Sequence, residues 1–420
     1  MTRCADLWVG SLWLCCALAC ASVDVAPTSK PLEPPVEAIS FGQDAGAGNL
    51  LLVQPFLYND DYASAWLFSA KIENYLELAK KKGWLNQRTV VVLPAMIGTW
   101  LIAADESPTL VQARSFEDVK RLLQSRLWFD YWTQMPFAPA SEKSTHTTFA
   151  LKSSAMAQSY QNVFGKIAIE YGVTVVAGSI VLLEPRLDGN ELVVDTKGRL
   201  REVALVFGPD GRIVGGPVPK AYLDSVEQGY LQPGDLTALP VIETAAGKLG
   251  LLIGSDAWYP DGYAALKQQG VELVVALGWL PVNGGWQQPW PGYRGAPQPS
   301  DVAAADVGTL SYRDAWAKYG LPGRLATSGA GVGAAVYSRG RVWDLEMDGQ
   351  AAAIKGGSAH EIPQLAGPLL VNLWLGEAAA ASQPPPPEVA PAPPPPPPSG
   401  DDVKPAKKKK KGGKKKSRKR

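Results

Sequence analysis

The chain has 420 residues, with 41 Lys/Arg against 40 Asp/Glu, four cysteines and two histidines. The near-neutral sum hides a segregation: 12 of the basic residues fall between Lys404 and Arg420, and what precedes them is net acidic. Cys4, Cys15, Cys16 and Cys20 all precede residue 21, so the rest of the chain has no disulfide, thiolate metal site or cysteine nucleophile, and two histidines exclude a histidine-rich metal centre.

At the N-terminus, Arg3 precedes an apolar run from Leu7 to Ala21, short for a membrane span and right for an export signal. Ala17-Leu-Ala19 and Ala19-Cys-Ala21 both fit an A-x-A cleavage pattern, so residues 1–21 read as a signal peptide and the expected location is periplasmic or cell-envelope. Cys20 is an alternative lipid-attachment point, although Ala17 stands where bacterial lipoproteins usually carry Leu. Residues 22–40 include a Pro-, Ser- and Thr-rich stretch and read as a flexible tether. Residues 41–376 are ample for one large α/β domain.

Within that domain, the unbroken apolar run in Asn49–Gln54 predicts a buried strand. Phe68, Ile72, Tyr75, Leu76 and Ala79 share one face of a helix that ends near Gly83. Thr89–Leu93 is a second buried strand. A later helix carries Ala157, Tyr160, Phe164, Ile167, Ala168 and Tyr171 on one stripe, stops at Gly172 and leads into a strand at Val173–Ala177. Val203–Phe207 and Arg212–Val214 flank a Gly-Pro-Asp-Gly turn as a hairpin. Strand Leu249–Ile253, a short helix near Ala264–Gln268 and strand Glu272–Leu277 repeat the β-α-β theme. Trp279–Ala305 is a Trp-, Pro- and Gly-rich insertion suited to a pocket rim. Gly333–Ser338 and Val342–Glu346 predict a last hairpin across Arg339-Gly340. His146 and His360 lie in no motif and read as surface or loop residues.

Residues 377–403 are Ala/Pro-rich, with proline runs at Pro384–Pro387 and Pro393–Pro398, and read as an extended disordered linker. Residues 404–420 form the polybasic tail, which suits an anionic envelope surface or another polyanion.

Five segments in order resemble the nitrilase, or carbon–nitrogen hydrolase, superfamily across roughly residues 50–348. They are the opening strand ending at Gln54, Val90-Val-Val-Leu-Pro94, Tyr171-Gly-Val-Thr-Val-Val-Ala-Gly-Ser179, Gly208–Leu223 with its Val-Pro-Lys220, and Leu249–Pro260. The resemblance implies a four-layer α-β-β-α sandwich with mixed sheets, often paired into homodimers. It also implies chemistry in which a glutamate base, a lysine and a cysteine act on a nitrile or amide carbon. Carried over position by position, the glutamate place holds Ala95 and the cysteine place holds Gly254, whereas Lys220 matches the lysine and Glu227 is nearest to a second family glutamate. Ser255, Asp256, Trp258 and Tyr259 would line the pocket. The expectation is an exported non-catalytic protein that binds a small-molecule ligand or a protein partner and needs no cofactor or metal. The alternatives are a diverged amide-type hydrolase using Lys220, Glu227 and Ser255, and a polyanion-binding protein acting through its tail.

Overall fold

The computed structural model describes residues 33–376. The segment expected to be a signal peptide, with Cys20, and the proline-rich and polybasic segments lie outside the described residues.

In chain order the first strands are β1 (Glu37–Phe41), β2 (Asn49–Gln54), β3 (Phe56–Tyr58), β4 (Thr89–Val92), β5 (Thr174–Leu183), β6 (Pro185–Asp188), β7 (Glu191–Val194), β8 (Leu200–Phe207) and β9 (Ile213–Pro219). There follow β10 (Ile242–Thr244), β11 (Gly247–Ile253), β12 (Leu273–Leu277), β13 (Val332–Val336), β14 (Arg339–Val342), β15 (Leu345–Met347), β16 (Ala352–Lys355), β17 (Ser358–Ala359) and β18 (Leu369–Trp374). The helices are α1 (Ala65–Lys81), α2 (Pro108–Val111), α3 (Phe116–Arg126), α4 (Trp128–Gln134), α5 (Lys143–Tyr171), α6 (Pro260–Gln268), α7 (Tyr312–Tyr319) and α8 (Leu321–Ser328).

One sheet runs β1-β18-β2-β4-β5-β8-β9 and the other β10-β11-β12-β13-β16-β17. Side chains alternate across each strand, so the two faces of β2 and β4 belong to different cores. Leu51, Val53 and Val91 pack with Phe68, Ile72, Tyr160 and Phe164 of α1 and α5. Leu50, Leu52, Val90 and Val92 belong instead to a core shared with β11–β13 and with Leu266, Trp316 and Leu325 of α6–α8. Both faces of the central strands are therefore apolar, which is why the sequence shows unbroken runs there rather than alternation. The result is the α-β-β-α sandwich with mixed sheets.

The local signals act as expected. Ser64 caps α1 by accepting the Leu67 N–H at 3.1 Å, and all five predicted core residues of that helix are buried. Gly172 ends α5 in the left-handed region at φ 62°. Three readings are corrected. Residues 37–40, assigned to the tether, belong to β1, which pairs in parallel with β18. His146 is buried on α5 rather than lying on the surface. The last hairpin does not form across Arg339-Gly340: β13 pairs with β12 and β16, while β14 pairs with β3 and β15. Gly340 is needed for a close approach instead, because a Cβ there would lie 2.3 Å from the Leu57 carbonyl oxygen.

Candidate active site

The site forms where the ends of β9 and β11 meet. Lys220 directly follows β9, and its N–H donates to the Glu202 carbonyl at 2.9 Å, so the backbone remains tied to β8. The ammonium lies 3.1 Å from Glu202 Oε2 and forms a second, tighter ion pair with Glu227 Oε1. Glu227 opens a short 3-10 turn, and its other oxygen accepts the Asp224 N–H at 3.0 Å.

Glu202 lies within β8 and was not among the expected site residues. A register shift in β5 between Val176 and Ser179 creates the geometry that holds it. Gly178 supplies the required φ of 72°, and a Cβ there would lie 2.2 Å from the Pro94 carbonyl oxygen. Ser179 Oγ donates to Glu202 Oε1 at 2.6 Å and accepts the Met96 N–H at 2.7 Å. Met96 itself sits at φ 63°, a costly conformation for a residue with a side chain. A buried carboxylate thus reaches the lysine from a neighbouring strand, beside the turn that carries Ala95. Ala95 is fully buried in the inter-sheet core and contributes no polar group.

Gly254 stands at the end of β11 with φ 52°, and a Cβ built there would lie 3.4 Å from Lys220 Nζ. The structure therefore brings together Lys220, Glu227 and the Gly254 position, with Glu202 added. The next two residues are committed elsewhere. Ser255 Oγ donates to the Tyr222 carbonyl. Asp256 accepts the Ala221 N–H at 3.0 Å and the Tyr222 N–H at 2.7 Å. Asp256 fixes the segment after Lys220 from behind and does not line the cavity, which corrects its assignment as a pocket residue.

Burial opposes the charge on Lys220, but Glu202 and Glu227 more than offset it and raise its pKa. Burial, together with the nearby Glu202, holds Glu227 above the usual carboxylate range despite its lysine partner. Burial also pushes Asp256 up to about 7, against two backbone hydrogen bonds and the Lys220 charge. One ammonium therefore faces an excess of carboxyl groups, a centre that repels anions and retains protons readily.

A cavity of about 950 Å³ opens onto this centre. Lys220, Glu227, Gly254, Ser255, Trp258 and Tyr259 line its inner part, and Trp279, Trp290 and Tyr293 bring the aromatic insertion to its wall. Trp258 and Trp290 stack at 5.2 Å, and Trp290 is itself buried, so the insertion is packed onto the body as well as shaping the pocket. Among the described residues, no group of three or more His, Cys, Asp or Glu is placed to hold a metal ion.

The carbon-nitrogen hydrolase family model matches residues 58–299. Among solved structures, an amidase from Nesterenkonia sp. shares 15% identity, with 78% of this chain and 90% of that chain covered and a TM-score of 0.45. A carbon-nitrogen hydrolase from Helicobacter pylori G27 shares 17% identity, with 78% and 89% covered and a TM-score of 0.48. No curated protein matches the chain.

Proposed function

The chain belongs to the carbon–nitrogen hydrolase family, and from that membership we propose that it binds an amide-type ligand at the family's site without cleaving it. The observation that carries this reading is Gly254: the position directed at Lys220 Nζ has no side chain, and no cysteine follows residue 20. Covalent catalysis needs an activated nucleophile within reach of its base. Ser255 is the nearest hydroxyl in sequence, yet its proton is engaged by the Tyr222 carbonyl rather than by a carboxylate. This weighs against the alternative, a diverged hydrolase acting through Lys220, Glu227 and Ser255.

The chemistry of the pocket favours neutral amides. Lys220 has three N–H donors, two of which the paired glutamates engage, leaving one for a carbonyl oxygen. Glu227 lines the cavity and offers acceptor capacity to an amide N–H. The excess of carboxyl groups disfavours a carboxylate in the same place, and the Trp and Tyr rings suit an apolar body. The signal-like N-terminus supports a place outside the cytoplasm, with the basic tail near an anionic envelope surface.

Thermal stabilisation by a panel of carboxamides, each beside its matching carboxylate, tests this. Amides should raise the melting temperature of the native protein, and their carboxylates and the Lys220→Met variant should show no such shift. Equal shifts from amide and carboxylate, or shifts that survive loss of Lys220, would remove the proposal.

A further inference from the structure

The segment from Trp128 to Phe137 exposes far more apolar surface than its packing requires. Within α4, Tyr131 turns inward, and its hydroxyl lies 3.2 Å from Ser144 Oγ on α5. Trp128, Phe129 and Trp132 are 62%, 62% and 61% exposed, and Phe137 just beyond the helix is 84% exposed. Isolated exposed rings are ordinary, but four in one short stretch, two of them in edge contact at 5.7 Å, form a patch. Arg121 and Arg126 lie on the preceding helix with about half or more of their side-chain surface exposed, Arg121 paired with Asp118 at 3.1 Å and Arg126 with Glu106 at 3.3 Å, so the net positive charge that favours an anionic surface comes from the basic tail.

We propose that this patch is a contact surface for an anionic lipid bilayer, with the rings seated at head-group level. Exposed tryptophan and phenylalanine rings are the side chains that seat at the head-group level of a membrane interface. The chain beyond the described residues points to the same occupant, because 12 basic residues between Lys404 and Arg420 attract an anionic surface. A protein groove would satisfy the rings and a soluble polyanion would satisfy the tail. An anionic bilayer satisfies both. Each signal holds the chain at the surface when the other is silenced, and the two acting together bind it more tightly than either alone.

The patch also adjoins the cavity. Phe116 and Lys120 of α3 and Glu142 and Thr145 beside and within α5 contribute to the cavity wall, and α4 bridges α3 to the segment that leads into α5. The proposal is independent of what the cavity binds.

Flotation with vesicles of equal parts phosphatidylglycerol and phosphatidylethanolamine tests it, using the chain from Ser22 to Arg420. At about 1 M salt the Debye length falls to about 3 Å, which silences the tail. The wild type should still float there. The Trp128→Gln/Phe129→Gln/Trp132→Gln/Phe137→Gln variant should float at low salt and lose about 100-fold in partitioning at high salt, the loss expected when several rings no longer leave water. A Trp128→Phe/Trp132→Phe variant, which keeps the apolar surface, should behave as the wild type. Complete release of the wild type at high salt, or undiminished flotation of the Gln variant, would overturn the proposal. A wild type that ignores vesicles but dimerises through these rings, with the Gln variant monomeric, would overturn it in favour of a second copy of the chain.

Discussion

Replacing Lys220 with methionine removes the ammonium between Glu202 and Glu227 while nearly preserving side-chain volume. The three side chains are 5%, 1% and 16% exposed, so solvent cannot substitute for the lost partner. Removing one member of a buried charge pair typically costs about 3–5 kcal/mol, because a desolvated charge is left behind. The loss should depend on pH in a defined direction. Burial already holds the Glu227 pKa up, and without the lysine that lowers it Glu227 in the folded state binds its proton more tightly still than in the unfolded chain, where its pKa lies near about 4.3. The folded variant then holds protons that the unfolded chain has released, so its stability falls as pH rises above that value. In the wild type the raised Lys220 pKa contributes stability that is fully present below about 10.5 and lost only above it. Chemical denaturation of both proteins should show a gap of about 4 kcal/mol at pH 7, narrowing on acidification toward pH 4.5 as Glu227 takes up its proton. A gap below about 1 kcal/mol at pH 7, or one that does not change with pH, would refute the buried-pair reasoning, since that is the magnitude of an exposed pair.

Three further outcomes follow from the same geometry. Gly254→Cys should cost about 1–2 kcal/mol for a side chain placed at φ 52°, and its thiol should be alkylated in the native protein because it opens into the cavity; peptide-level mass spectrometry reads this, and labelling only after denaturation would contradict it. Ser255→Ala should lower stability by about 1 kcal/mol through the lost bond to the Tyr222 carbonyl and leave ligand-induced thermal shifts intact; loss of those shifts would give Ser255 a direct role. Asp256→Asn should cost about 1–3 kcal/mol, because Oδ1 can still accept the Ala221 and Tyr222 N–H groups but an NH2 donor replaces Oδ2, which also accepts the Ala221 N–H at 3.2 Å. It should also remove a pH dependence. The wild-type carboxyl, raised to about 7, gives a contribution that falls as pH rises from its unfolded pKa of about 3.9 to 7, and a variant retaining that slope would show that another group causes it.

Much of the fold was legible where a local pattern had one physical meaning. The α1 stripe, the Gly172 stop and the Gly-Pro-Asp-Gly hairpin needed only helical periodicity, a left-handed cap and a turn. Arg339-Gly340 failed because glycine has two uses, and here close backbone approach to Leu57 prevails over turning the chain. His146 failed because α5 begins at Lys143, further upstream than its apolar stripe suggests. In the site, Lys220, Glu227 and Gly254 were recognisable from local motifs, and the fold brings them together. Glu202 was not, because its partners lie on β5 and after β9, and only the β5 register shift turns Ser179 toward it. The one available signal was a glutamate immediately before the apolar run Val203–Phe207 in the same strand, a position that burial makes costly unless paired.

The most direct test of the central claim is to incubate the protein with those carboxamides that raise its melting temperature and to follow both ammonia release and the intact ligand by mass spectrometry. Saturable binding, unchanged ligand and no ammonia above that seen with the Lys220→Met variant are expected. Catalytic ammonia release that disappears in that variant would show that the site still turns over amides without cysteine and would contradict the account.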